Sequence, residues 1–333
     1  MRVALLGPVA WRTPPHHYGP WERVTGLLAE GLVARGVDVT LFATLDSVTS
    51  ATLDGVCPRG YADDPDLDGR VWEAMHVAHA LARSGEFDLV HNHLDWLPLA
   101  FAEHCRAPLL TTIHGFSGAG IQPAYERAKS AYVSISDADR VPGLDYVATV
   151  PHGIDLDGFP FGRDGGPGLV AFGRIHPDKG IHTAIEIARL AGRPLTICGI
   201  VQDERYHAEQ VAPHIDGELV TFLGSVGPEQ RGEILGGAAA LLHPIAFAEP
   251  FGLSVVEAMA CGTPVVAYRR GSMPEVVDEG VTGYLVQTVD QAVAAVERIG
   301  AIDRAGCRDR ARQRFGVDRM VQDYLEVYRA LVP

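Results

Sequence analysis

The sequence predicts an α/β protein of two domains, each a parallel sheet covered by helices. Three observations carry that expectation. Strand-like apolar runs alternate with helical periodicity along nearly the whole chain. The richest Gly/Pro stretch, Phe161-Gly162-Arg163-Asp164-Gly165-Gly166-Pro167-Gly168, falls between two such series. A length of 333 residues also exceeds what one hydrophobic core usually organises.

In the first half, strands are expected at 2–6, 37–43, 88–92, 108–113 and 131–135. Helices are expected over Trp21 to Arg35 and Val71 to Arg83, where apolar residues recur at three and four. In the second half, strands are expected near 168–173, 194–199, 219–224, 239–243, 264–267 and 283–286, with helices between. The boundaries that follow are a first domain over 1–158, a linker over 159–167 and a second domain over 168–316. Residues 317–332 form a last helix, whose Met320, Tyr324, Leu325 and Tyr328 recur at helical spacing and read as core. Parallel sheets of this kind bind ligands beyond the carboxyl ends of their strands, so the loops there matter most.

Composition narrows the function. Hydrophobic residues make up 47% of the chain, the formal charge is −14 and mean hydropathy is +0.07. That acidity argues against nucleic acid, which needs a basic footprint. Five scattered cysteines without a CxxC pair fit a reducing compartment. No run reaches the length of a membrane span, and the opening apolar run is too short for a signal peptide, so a soluble cytoplasmic protein is expected. Only two lysines occur, Lys129 and Lys179, so the chain uses arginine as its generic cation.

The loop after the first strand, Gly7 to Pro20, is long and carries Trp11, His16, His17 and Gly19 next to a helix start. No G-x-G-x-x-G follows that strand, which argues against a dinucleotide oxidoreductase. Asp64-Pro65-Asp66-Leu67-Asp68-Gly69 imitates the start of a calcium loop, but position twelve is Met75, and a solvated acidic loop is the better reading. His91-Asn92-His93-Leu94-Asp95-Trp96 ends the strand at 88–92. Its alternating histidines point one way without a third metal ligand nearby, which leaves a sugar-contacting rim or a structural loop. His114-Gly115-Phe116 ends another strand, where His114 is either a reacting-site group or a hydrogen-bonded structural histidine.

The densest signal runs from His243 to Ala267. A strand leads into a tight loop with Glu249-Pro250-Phe251-Gly252-Leu253-Ser254, then an apolar helix containing Glu257, a Gly stop and another strand. Free N–H groups at the helix entrance favour phosphate. A carboxylate inside an apolar helix needs a partner, and ribose hydroxyls can supply one. Upstream, Arg174 and Lys179 flank a turn that opens a helix at Ile181; they suit a diphosphate, or form a surface salt-bridge pair.

These segments together resemble the retaining glycosyltransferases of family 4, whose fold, GT-B, has two Rossmann-like domains facing a central cleft. Glu249 to Val266 matches that family's Glu-x7-Glu signature with its flanks. Phe172-Gly173-Arg174 with Lys179-Gly180, Val220 to Gly224, Pro274-Glu275-Val276-Val277 and Thr282 to Val286 match in order. The resemblance implies a nucleotide-diphosphate sugar as donor, UDP-glucose first and GDP-mannose next. It implies transfer of a hexose with retention, and no obligatory cofactor or metal. Arg174 and Lys179 then hold the diphosphate, Glu249 the sugar hydroxyls and Glu257 the ribose. Phe251, Gly252, Leu253 and Ser254 line the phosphates, with Gly19 in the loop above them, and His114 lies by the reacting carbon. The last helix, 317–333, is able to pack back on the first domain. Two positions depart from the common pattern: Gly19-Pro20 in place of Gly-Gly, and His152-Gly153 in place of Asn-Gly.

The acceptor is expected to contact Trp11, His16, His17, His93, Asp95, Trp96 and Phe116. Residues 1–150 carry 11 Lys and Arg against 18 Asp and Glu, and no basic amphipathic helix that would bind an anionic membrane. A small soluble or natural-product acceptor, no nucleic acid and no stable membrane association are therefore expected. The alternatives are a phosphorylase or sugar-nucleotide epimerase of the same fold, or an inactive sugar-nucleotide-binding partner protein.

Overall fold

The computed structural model describes residues 1–115 and 117–332. The chain divides into two compact units, Met1–Gly153 with Val317–Pro333, and Ile154–Gly316.

Among the described residues, the first unit holds seven parallel strands: β1 (Arg2–Leu6), β2 (Asp38–Phe42), β3 (Thr52–Asp54), β4 (Leu89–Asn92), β5 (Leu109–Ile113), β6 (Ala131–Ser134) and β7 (Tyr146–Thr149). Their order is β3-β2-β1-β4-β5-β6-β7, so the direction of winding reverses between β1 and β4. Such a reversal opens a crevice beyond the strand ends. The five expected strands are all present. The edge strands β3 and β7 are additional, and both are short and half-exposed. Helices Pro20–Val33 and Gly69–Ala82 occupy the two stretches with helical periodicity. Near-continuous burial along β1, β4 and β5 is what a sheet covered on both faces requires.

The helix Val317–Leu331 belongs to this unit. Met320, Val321, Tyr324 and Tyr328 are fully buried on one face, as their spacing predicts. Arg35 on the end of the helix Pro20–Val33 pairs with Asp318 at 2.7 Å.

The second unit holds six parallel strands: β8 (Leu169–Phe172), β9 (Leu195–Cys198), β10 (Val220–Gly224), β11 (Ala240–His243), β12 (Val265–Tyr268) and β13 (Gly283–Val286). Their order, β10-β9-β8-β11-β12-β13, reverses between β8 and β11. Leu169, Ala171, Ile197, Leu242 and Val266 of the sheet pack with Ile181, Ile185 and Ala188 of the helix Ile181–Leu190. The segment 159–167, expected as a linker, lies inside this unit. Gly162 N–H donates to the Cys261 carbonyl at 3.0 Å. The Arg304 guanidinium binds the carbonyls of Gly162, Ala238 and Gly236 at 2.5, 2.9 and 2.8 Å. Its glycines and prolines therefore serve close packing, a use that composition alone does not distinguish from a linker. Among the described residues, no helix is long and apolar enough to cross a membrane.

Candidate active site

In the second unit, β8 and β11 are neighbours, so the loops that leave them lie together at the switch point. The first of these loops carries Arg174 and Lys179; the second carries Glu249. They are docked backbone to backbone, with Ala246 N–H donating to the Asp178 carbonyl at 2.7 Å. Gly180 has φ +65°, and a Cβ there would sit 2.1 Å from the Pro244 carbonyl oxygen, so the close approach needs glycine.

Lys179 Nζ lies 2.6 Å from Glu249 Oε2 and 4.7 Å from the centre of the Phe247 ring. His243 Nε2 lies 3.4 Å from the same carboxylate oxygen. Burial pushes the Glu249 carboxyl up, but the neighbouring His243 and the Lys179 ammonium outweigh it and hold the group at about 2. Glu249 is thus a permanent carboxylate. Arg174 pairs with Asp178 at 3.0 Å and donates to Gln202, which holds its guanidinium at the same loop. Neither cation is a loose surface charge.

Gly252, at φ +89°, turns the chain into the helix Leu253–Ala260. Leu253 and Ser254 at its entrance are half-exposed, while Phe251 is buried edge-on against Phe315 at 5.7 Å. The helix interior buries Glu257, and the partner it requires is Arg231, at 3.0 Å. Arg231 also lies over the Phe172 ring at 5.0 Å. The need for a partner was readable from the sequence; Arg231 was not, because the fold brings it in from the helix Pro228–Gly237. His243 opens the stretch singled out in the sequence, but nothing in its spacing assigns it to Glu249.

In the first unit, Gly19 is buried at φ +145° and Pro20 begins the helix Pro20–Val33. A proline loses no hydrogen bond at that position. Glu22 in the first turn is buried and accepts from Trp11 N–H at 3.2 Å; burial pushes its carboxyl up to about 7. Trp11 sets its ring edge against Tyr18 at 5.2 Å, and His16 and His17 are exposed.

His114 and His93 are both buried, so His93 does not form an exposed rim. His93 Nδ1 and His114 Nε2 are 3.0 Å apart, and His114 Nδ1 is 3.4 Å from His152 Nε2. Trp21 stacks on the His114 ring at 5.3 Å. Asp95 has φ +62°, a left-handed backbone unusual for a residue with a Cβ, and accepts from the Tyr125 hydroxyl. Burial raises its carboxyl to about 6. Trp96 beside it is exposed, and Phe116 lies outside the described residues. Asp64, in the acidic loop, is buried and paired with Arg59 at 2.5 Å rather than solvated.

Two family descriptions match in tandem: "Glycosyltransferase Family 4" over residues 21–157 and "Glycosyl transferases group 1" over 160–314. Glycogen synthase of Mycobacterium tuberculosis is 29% identical, over 85% of this chain and 81% of its own length. Two solved structures share the fold. AviGT4, a glycosyltransferase involved in avilamycin A biosynthesis, superposes with a TM-score of 0.77 at 24% identity, covering 100% of this chain and 98% of its own. Anabaena Alr3699/HepE, solved with UDP and glucose, superposes with a TM-score of 0.76 at 21% identity, covering 99% and 100%. The fold is GT-B. The chain belongs to the family 4-like glycosyltransferases, enzymes that take a sugar from a nucleotide-sugar donor.

Proposed function

We propose that this enzyme transfers a hexose, with retention, from a nucleotide-diphosphate sugar to a hydroxyl of a small soluble or natural-product acceptor. The observation that carries the reading is the meeting of Lys179, Arg174 and Glu249 at the β8/β11 switch, beside a helix entrance. Two fixed cations and the N–H groups of Leu253 and Ser254 match a diphosphate. On donor binding, Lys179 turns from Glu249 to the phosphates, and Glu249 takes hydroxyls of the sugar. Glu257, held by Arg231, takes the ribose. UDP-glucose is the first candidate, supported by the UDP and glucose bound to the Anabaena neighbour, and GDP-mannose is the second.

In the reaction, the acceptor oxygen forms a bond to the anomeric carbon as the bond from that carbon to the diphosphate breaks. The bonding pair leaves with the diphosphate, and the acceptor proton passes to a diphosphate oxygen on the same face. Arg174 and Lys179 stabilise the charge that grows there, an effect that usually contributes most to catalysis, and they do so without a metal. Glu249 stays ionised and acts as a binding group. The first unit supplies the acceptor side, through Trp11, His16, His17, Asp95 and Trp96. Five unpaired cysteines suit a cytoplasmic enzyme.

A thermal-shift screen of nucleotides and nucleotide sugars tests the donor, since a ligand of the folded state raises Tm. NMR of the product made with a natural-product acceptor panel then reads the anomer. Cleavage of a disaccharide by inorganic phosphate without nucleotide, or an altered nucleotide sugar without acceptor, would overturn the reading.

A further inference from the structure

The first unit contains a chain of four buried imidazoles. His91 Nδ1 lies 3.2 Å from His93 Nε2, His93 Nδ1 lies 3.0 Å from His114 Nε2, and His114 Nδ1 lies 3.4 Å from His152 Nε2. The inner end is anchored by the helix Val317–Leu331. Tyr328 Oη is 2.7 Å from His91 Nδ1, Thr112 Oγ1 is 2.8 Å from His91 Nε2, and Tyr324 Oη is 2.8 Å from Thr112 Oγ1. Strands β4 and β5 deliver three of the rings, and His152 follows β7.

We propose that these four histidines share one tautomer, and that His93 and His152 are positioning residues that fix which nitrogen of His114 carries its proton. A count of protons leads there. A neutral imidazole has one N–H and one lone pair, and every ring-to-ring contact needs one of each. The direction chosen at one junction is therefore forced on the next, and the chain has only two orders, all Nε2–H or all Nδ1–H. At the inner end His91 Nδ1 faces both the Tyr328 hydroxyl and His93 Nε2, so the order of the chain also sets which way the buried Tyr328 hydroxyl bonds.

Burial supports the count, because it pushes all four rings toward the neutral form, His114 down to about 3. A proton added inside the chain would also set one N–H against another.

The consequence for catalysis rests on the proposed glycosyl transfer and on the expectation, implied by the family resemblance, that His114 takes part in it. With both ring nitrogens held by histidines, His114 keeps one orientation and one charge state through turnover. His152, a departure from the Asn-Gly pattern, closes the outer end of the chain.

Nitrogen-15 NMR of the histidine rings in the full chain tests the coupling without any donor. The expected result is four neutral rings of one shared tautomer, assigned by single variants. In His93→Phe, His114 loses its partner at Nε2, and its signal shifts to the other tautomer or a mixture. His152→Asn does the same from the other side, and it remains informative if His93→Phe fails to fold. Rings of mixed tautomer in the wild type, or a His114 signal unmoved in both variants, overturn the coupling. In steady-state kinetics, the variant with the shifted tautomer loses roughly tenfold or more in kcat, with donor affinity unchanged, in the manner of wrong-tautomer catalytic histidines. A shifted tautomer with unchanged kcat overturns the positioning role. The donor assignment itself is read separately, by variants of Arg174 and Lys179.

Discussion

Lys179 Nζ and Glu249 Oε2 stand 2.6 Å apart, although seventy positions of chain separate them. Both side chains are largely buried, so each needs the other until a ligand replaces one. The pair connects the two loops at the sheet's switch point and holds the cation and the carboxylate together.

Breaking that pair from one side should be more damaging than removing both groups. Lys179→Met or Glu249→Gln alone should lower stability by about 3 kcal/mol, since a buried charge loses its partner. The double variant should lose clearly less than the sum. Urea unfolding in a double-mutant cycle measures this, and additive losses would show that the two groups do not interact.

Glu257 should be recognised by a ribose effect. The wild type should bind a 2′,3′-dideoxy nucleotide diphosphate at least about tenfold more weakly than the ribonucleotide, the scale of one or two charge-assisted hydrogen bonds. In Glu257→Gln the two ligands should bind more alike. Calorimetric titration of both proteins with both ligands checks it; an equal preference in the two proteins would remove Glu257 from the ribose.

Glu22 gives a pH dependence whose sign follows from its environment. Its carboxyl is raised from 4.5 to about 7 in the folded protein by burial. The folded state therefore binds this proton more tightly than the unfolded state. The stabilisation is full below 4.5 and is lost as pH rises through about 7, by up to about 3 kcal/mol. Glu22→Gln keeps an acceptor for Trp11 N–H and should remove this loss. Melting temperatures should then be similar at pH 5 and higher for the variant at pH 8. A variant no more stable than wild type at pH 8 would contradict the assignment.

Much of this architecture was legible because burial on both sheet faces writes itself as apolar runs. β1, β4, β5, β8 and β11 are such runs, and they set the switch points. β3 and β7 were missed because edge strands are short and half-exposed, with little pattern to read. The Glu249–Glu257 stretch is legible as a candidate site because a carboxylate in an apolar helix demands an explanation. Arg231 was not, since it reaches Glu257 through the fold, and no spacing assigns His243 to Glu249. The histidine chain joins residues from β4, the end of β5, the segment after β7 and the last helix, and no local spacing announces it.

Whether Arg174 and Lys179 hold a donor diphosphate is decided most directly by isothermal titration. UDP and UDP-glucose, and GDP and GDP-mannose, are titrated into the wild type and into Arg174→Ala/Lys179→Ala. One of the two nucleotide series should bind the wild type, and the double variant should lose roughly a hundredfold or more in affinity, the scale of two charge-assisted contacts to phosphate. Undiminished binding in a folded double variant would contradict the account.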